Sequence, residues 1–425
     1  MSAIQLPPAL REEMLDRFLR YVQIPTEPDP TTTTTPSSSD QWTLLRMLQE
    51  ELTELGVDVT LTEHGYVIAT IPSNVPHPVP RIAFLAHVDT ALDFTGKGVK
   101  PIVHERYDGA AFRYPHAANR VLAVDEFPAL QHAIGQTIVT TSGDTLLGAD
   151  DKAGVAIVMT FVEYVLAHPE LPHGELRVCF NPDEEIGRGF DGLETSRLAA
   201  DVAYTVDGDA LGSLNYETFS ADKARVTITG VSIHPGWAFG KLVNAIGLAE
   251  QLLHIIRTKC PAPEQSQGRC GYVHPVRIDG SAGKVVIDFI LRDFDDIGLA
   301  SYGTVLRQAC DALKEQEPRA EIECVVEEQY RNMRDYLAKD FRPVEVAREA
   351  MARIGVSPIE SPIRGGTDGS HLTARGLPTP NLFTGGQNAH GPYEWVSVDE
   401  MEKSVLVCAQ IVQIYAGQVV PGTKR

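Results

Sequence analysis

The chain has no run of about 18 consecutive apolar residues, the length that a membrane-crossing helix needs. Its first residues do not pass from a basic start through an apolar core to a small-residue cleavage site; Met1 to Arg20 reads instead as an amphipathic helix beginning near Pro8. Neither a spanning helix nor a secretory leader is expected, and the reading is a cytoplasmic protein. Paired cysteines are missing as well. Cys179, Cys260, Cys270, Cys310, Cys324 and Cys408 are scattered with no C-x-x-C, which argues against a Cys-rich structural zinc site. Cys260 and Cys270 stand close enough to pair across a loop, but without a leader reduced thiols are the expectation. Basic charge is scarce: 37 Lys and Arg against 57 Asp and Glu leave a net charge of -20. Nucleic acid and anionic membranes select basic patches, so neither is an expected partner. No internal repeat is present.

What the chain does have is a set of short apolar runs, each followed by a His or a carboxylate. Ile82 to Ala86 leads to His87 and Asp89, Val178 to Phe180 to Glu184 and Glu185, and Val202 to Val206 to Asp207. Thr379 to Thr384 leads to His390 through a Gly-rich loop, and Asp150 opens a helical stretch over Lys152 to His168. Buried strands of an α/β protein read as short apolar runs, and open parallel sheets bind ligands beyond the carboxyl ends of those strands. Five such stations can converge on one crevice.

Two His and several carboxylates suit a catalytic zinc or manganese centre. Glu184 and Glu185 are adjacent, so at most one of them ligates in the same manner and the other is a free carboxylate. A bound metal lowers the pKa of water from about 15.7 towards about 7, and a neighbouring carboxylate then takes the proton as that water attacks a carbonyl. Each station alone has a plainer reading. His87 and Asp89 would make a hydrogen-bond pair, Asp150 and Asp151 a helix N-cap, Asp183 to Glu185 a solvated loop, Asp207 to Asp209 a turn, and His390 an ordinary loop residue. Their joint occurrence at strand ends favours metal-assisted hydrolysis.

LAHVDT (Leu85 to Thr90), LLGADDKAG (Leu146 to Gly154), NPDEEIGRG (Asn181 to Gly189), YTVDGD (Tyr204 to Asp209) and GGQNAHG (Gly385 to Gly391) resemble the motifs of the M20 dinuclear zinc peptidases. HPGWAFGKLVNA (His234 to Ala245), LRDFD (Leu291 to Asp295) and IRGGTDG (Ile363 to Gly369) resemble the tripeptide aminopeptidases within that clan. The likeness spans roughly residues 10 to 417. It implies two zinc ions per subunit, with cobalt or manganese as substitutes. His87 and Asp207 would hold one ion, Glu185 and His390 the other, and Asp150 would bridge them. Asp89 would orient His87 as a carboxylate behind a metal-bound His, and Glu184 would be the general base. It further implies that His234 and Asn244 contact substrate, and that His234 serves either its own chain or a partner chain. Arg292 or Arg364 would clamp the peptide carboxylate and so measure peptide length, the choice between them staying open. An N-acyl amino acid deacylase with the same two-metal chemistry is the alternative activity.

The expected fold class is α/β: a mixed, largely parallel sheet flanked by helices, with a smaller α+β lid or dimerisation domain inserted. Helices are read at Arg11 to Tyr21 and Gln41 to Leu55, and strands at Val57 to Thr62 and Gly65 to Ile71. From Lys223 onward the pattern changes to strands with one wet face, Lys223 to Thr229, Lys284 to Phe294 and Ile322 to Glu328. Between them run helical stretches, Leu242 to Ile256 and Tyr302 to Lys314. The division is therefore 1–217 with 331–425 for the catalytic domain and 218–330 for the insert. A homodimer through an exposed edge strand of the insert is expected. The Thr-, Ser- and Pro-rich stretch Pro28 to Ser39 reads as a solvated, mobile surface loop.

Overall fold

The computed structural model describes residues 5–418. The first four residues of the N-terminal helical stretch, and 419–425 of the catalytic domain as divided above, lie outside them. The chain forms two units. The first takes the sequence up to Tyr216, then Tyr336–Ser361, then everything described from Thr367 on.

Its centre is a seven-stranded sheet. Four strands, Leu176–Asn181, Ile82–His87, Val202–Gly208 and Asn381–Phe383, run parallel in that spatial order. Asp58–Leu61 with Val67–Ile71 extends one side antiparallel, and Leu214–Asn215 the other. The sheet is buried on both faces, as parallel strands require. Along Ile82–His87, alternate side chains go to different cores: Ile82, Phe84 and Ala86 join the main cluster, while Ala83 and Leu85 join a smaller one with Tyr66, Cys179, Ala203 and Leu372.

Helix Ala149–Ala167 crosses the strands Ile82–His87 and Val202–Gly208 and is itself covered by Pro8–Val22 and Val398–Ala416. A helix enclosed on every side is apolar all round, and every residue from Val155 to Val162 is buried. Phe161 packs on Phe84 at 4.8 Å between ring centroids, tying helix to sheet. A second, four-stranded sheet, Gly386–Gln387, Trp395–Ser397, Ile138–Thr140 and Ile102–His104, carries the His390 loop between its first two strands.

The second unit comprises Glu217–Asp335 and Pro362–Gly366. It is a four-stranded antiparallel sheet in the order Tyr272–Gly280, Lys284–Asp293, Ser220–Thr229, Glu321–Tyr330. Helices Ala245–Lys259 and Asp296–Gln316 supply Leu248, Leu252, Leu299, Leu306 and Leu313 to a core shared with Val226, Ile228, Ile287 and Phe289. Pro362–Gly366, which the sequence division leaves in the first domain, joins this unit because Ile363 bridges to Thr218 and Arg364 packs over Phe219 and Tyr272.

Helix and sheet approach closely at Gly154, where an added Cβ would lie 1.8 Å from the Val206 carbonyl oxygen and 2.3 Å from Asp151 Oδ1. Gly154→Ala is expected to destabilise the first unit by at least the ~1–3 kcal/mol typical of an overpacked core. A urea midpoint equal to that of the native chain would show that helix and strand have room to separate.

Candidate metal centre

Parallel strands end together, and that places the first stations side by side. His87 closes its strand opposite Asn181, and the turn Glu184–Ile186 follows Asn181 within three residues. Asp207 lies near the end of Val202–Gly208; its backbone N–H donates to Asn381 Oδ1 at 3.0 Å while Asn381 Nδ2 donates to its carbonyl at 3.0 Å. Asp150 stands at the non-helical start of Ala149–Ala167, where the Asp150–Asp151 peptide is cis.

Asp150 is the hub. Its Oδ1 lies 3.1 Å from His87 Nε2 and its Oδ2 3.2 Å from His390 Nε2, so one carboxylate faces two imidazoles with different oxygens. His87 Nε2 is also 3.6 Å from Asp207 Oδ1, and His390 Nε2 is 3.4 Å from Glu185 Oε2. His87, Asp150 and Glu185 form one group able to hold a metal ion, and His87, Asp151 and Asp207 another. The sequence-derived metal set therefore meets at one place in the first unit.

Charge explains what the donors are suited to hold. Burial, with Asp150 close by, pushes Asp207 up to about 6, and burial pushes Glu184 and Glu185 well above the usual carboxylate range. Burial acts in the same direction on Asp150, but hydrogen bonds from His390 and His87 outweigh it and hold that carboxyl well below its ordinary value. Glu185 Oε1 is buried without any hydrogen-bond partner. Crowded carboxylates, an orphaned oxygen and two imidazoles fit divalent cations, whose bonds of about 2.0–2.2 Å to such donors put neighbouring ligand atoms roughly 3 Å apart.

Carboxylates at and beside the cluster also accept hydrogen bonds, most of them from backbone amides. Asp89 accepts from Glu184 N and Glu185 N, each at 3.0 Å, and its Oδ1 is 3.4 Å from His87 Nδ1. Asp151 accepts from His87 N and Gly154 N. Glu394, which the sequence reading missed, accepts from Leu147 N, Gly148 N and Asp150 N at 2.7, 2.7 and 3.0 Å. Asp368, also missed, is buried and accepts from Asn181 Nδ2 at 2.6 Å. Asp93 stands 3.3 Å from His390 Nδ1, as Asp89 stands behind His87. Glu394 and Asp93 sit between apolar or aromatic neighbours in sequence and Asp368 between Thr367 and Gly369, and only the fold shows which partners they meet.

The Thr-rich stretch corrects another expectation. Pro30, Thr31, Thr33, Thr34 and Ser39 are exposed as a solvated loop requires, but Pro36 and Ser37 are buried, and Ser37 and Gln41 donate to the buried Asp183 carboxylate. Hydroxyls and carbonyls dense enough to look like a solvated surface here meet a matching carboxylate and guanidinium.

The four expected substrate residues lie in the second unit. His234 Nδ1 accepts from Gly236 N at 3.1 Å, which leaves the proton on Nε2 as a free donor, and its ring lies 4.8 Å from Trp237. Asn244 caps helix Ala245–Lys259 through Ile246 N at 3.0 Å. Arg292 uses Nη1 on the Asp222 and Leu291 carbonyls and on Gln329 Oε1. Arg364 is more heavily engaged, donating to the Gly268, Cys270 and Ser266 carbonyls and to Ser266 Oγ.

Residues 145–414 match the family described as peptidase family M20/M25/M40. The chain is 44% identical over 410 residues to peptidase T of Bacillus subtilis (strain 168), covering 96% of this chain and 100% of that one. It is 43% identical over 407 residues to peptidase T of Geobacillus sp. (strain WCH70), covering 96% and 99%. Among solved structures, aminopeptidase PepT from Bacillus cereus has a TM-score of 0.73 at 24% identity, covering 96% and 99%. The Bacillus subtilis YXEP protein, described as a dinuclear metal-binding peptidase, has a TM-score of 0.65 at 14% identity over 96% and 99%. At those identities the two structures establish the fold.

Removing the Glu394 carboxylate leaves two buried amides and one half-buried amide unpaired at the hub, and each buried loss costs about 1–3 kcal/mol. Glu394→Ala is expected to lower the melting temperature of metal-free protein and to weaken metal binding in a competition titration. Unchanged values for both would remove Glu394 from the support of Asp150.

Proposed function

The chain belongs to peptidase family M20/M25/M40, and from that membership we propose that it is an aminopeptidase releasing the N-terminal residue of tripeptides at a two-zinc centre. The observation that carries the reading is Asp150 dividing its two oxygens between His87 and His390. In this reading His87 and Asp207 would hold one ion and Glu185 and His390 the second, with Asp150 shared between them. Nitrogen and carboxylate donors without cysteine suit zinc, with cobalt or manganese as substitutes. Two such ions when bound polarise the scissile carbonyl and acidify the attacking water.

Glu184 is the general base of this scheme. Its side chain takes the proton from the attacking water and returns it to the leaving amine. Burial, reinforced by Asp368, Asp207 and Asp89, raises its proton affinity, which suits a group that must hold a proton between the two steps. Asp89 fixes the turn that carries Glu184 with its carboxylate and orients His87 chiefly through its carbonyl, 3.1 Å from Nδ1, with the carboxylate at 3.4 Å. His234 offers Nε2–H to a substrate carbonyl and Asn244 an amide, whereas Arg292, whose hydrogen bonds to the described residues all leave from Nη1 and whose guanidinium lies over Tyr330, is better suited than Arg364 to a peptide carboxylate.

The same proposal includes a cytoplasmic homodimer. All six cysteines are free, as suits a reducing compartment. Strand Tyr272–Gly280 is a sheet edge with Val276 and Ile278 half exposed, a surface that a second copy would pair with antiparallel across a two-fold axis. Ile278→Lys is expected to convert a dimer to a monomer in sedimentation velocity; a native chain that sediments as a monomer at assay concentration would discard the dimer.

For the chemistry, Glu184→Ala should retain two ions per chain while turnover of a free tripeptide falls by roughly 10² to 10⁴. Loss of one ion in that variant would exchange the roles of Glu184 and Glu185, and Asp150→Ala should disturb both ions together. Peptides of two to four residues, free and N-acetylated, complete the test. Preference for the acetylated forms would replace the aminopeptidase with a deacylase.

A further inference from the structure

The turn Glu184–Ile186 is not self-supporting. Asp183 before it and Gly187 after it both have left-handed backbone, φ 62° and 69°, and for Asp183 that conformation is uncommon. Both ends of the turn are held by a single segment far away in sequence. Asp183 is fully buried, and its carboxylate accepts from Ser37 N at 2.8 Å, from Ser37 Oγ and from Gln41 Nε2 at 2.8 Å. Its own N–H donates to Gln41 Oε1 at 3.2 Å, so the Gln41 amide grips both the backbone and the side chain of the residue preceding Glu184. At the other end, Arg188 donates to the Thr32 carbonyl at 2.9 Å, the Thr34 carbonyl at 2.6 Å and Thr35 Oγ1 at 3.2 Å.

The segment is itself closed into a unit. Ser37 Oγ receives the Asp29 N–H, Thr32 Oγ1 donates to the Asp29 and Ser37 carbonyls, and Pro36 packs where a Cβ on Gly65 would collide with it. Asp89 meanwhile holds Glu184 N and Glu185 N from the metal side.

We infer that Ser37, Gln41, Asp183 and Arg188 act as positioning residues for Glu184, through the contacts that fasten both ends of its turn to the segment holding Ser37. The inference rests on Glu184 being the general base. None of the four is required to touch substrate or metal. Their action is to fix the turn so that the Glu184 carboxylate stands where the attacking water must lose its proton, and a displacement of about 1 Å at such a point costs on the order of 10²-fold in rate. The donors come from a surface loop and one helix end, so this bracing can be weakened without opening a core.

The test uses the full-length, metal-loaded protein and compares Ser37→Ala, Gln41→Met and Arg188→Met with Thr33→Ala, an exposed residue of the same segment, and with Glu184→Ala. Turnover, KM, bound metal and melting temperature are measured for each. Ser37→Ala, Gln41→Met and Arg188→Met are expected to lower kcat about 10- to 100-fold with KM within about twofold and two ions still bound, while Thr33→Ala matches the native chain. Ser37→Thr, which keeps the hydroxyl, should recover most of the turnover lost in Ser37→Ala. The inference is overturned if the three variants keep native kcat per metal-loaded chain, whether or not their stability or metal content falls. It is overturned too if Ser37→Thr is as slow as Ser37→Ala while Thr33→Ala is equally impaired. A fully active Glu184→Ala would overturn the general-base reading itself, whereas an inactive Glu184→Ala beside native Ser37→Ala and Gln41→Met sinks only the positioning role.

Discussion

Mutual repulsion among carboxylates at the ends of the parallel strands is the constraint around which the first unit is arranged. At an effective dielectric of about 20, two like charges 4 Å apart repel by about 4 kcal/mol. Asp150, Asp207, Glu184, Glu185, Asp89, Asp151, Asp368 and Glu394 all act on one small region. The fold divides them by partner. Asp89, Asp151 and Glu394 accept from backbone amides, and Glu394 serves three at once beside a helix start, where the peptide dipoles favour negative charge. Asp150, Asp207 and Glu185 keep oxygens turned towards the two imidazoles. Stability and ligand supply thus draw on one set of residue types and differ only in which hydrogen-bond donors the backbone brings near.

The sequence made much of this legible because the strands that bear the stations are short, apolar and buried on both faces, a pattern with few other readings. The parallel strands ending at His87, Asn181 and Gly208 fall within a few residues of the apolar runs that announced them. The insert was readable for a similar reason: strand Lys284–Asp293 alternates buried and half-buried residues along its length. Strand Tyr272–Gly280 was not recognised. It is an edge strand with Pro275, a register shift before Arg277 and one buried residue, so no alternation marks it. Residues 100–145 were equally silent, their strands being two or three residues long. The helix Val398–Ala416, buried along most of its length, has too little polar face to show a period.

Side-chain partners were the harder part. Asp183 belongs to a run of three acidic residues, which in isolation reads as a solvated loop, and the segment that satisfies it lies more than 140 positions earlier. Arg364 is the converse. Its Gly-rich setting suggested a cation free to meet a ligand, yet most of its donors go to carbonyls of the Ser266–Cys270 loop. Local composition reports a residue's chemistry and leaves its partners to topology. The convergence of His87, Asp150, Glu185, Asp207 and His390 was foreseeable because they share a position relative to strands, and the place of Glu394 was not because its partners are amides 244 to 247 residues away.

That separation has a bearing on how the protein comes into being. Hub and first imidazole are present once Asp150 has been made, but the second imidazole and the carboxylate that secures the hub arrive only with His390 and Glu394. A growing chain emerging from the ribosome therefore carries an unfinished cluster for 240 residues after Asp150 has been made. A chain stopped before His390 lacks one of the two imidazoles between which Asp150 divides its oxygens, and with it the arrangement on which the proposed two-ion centre depends.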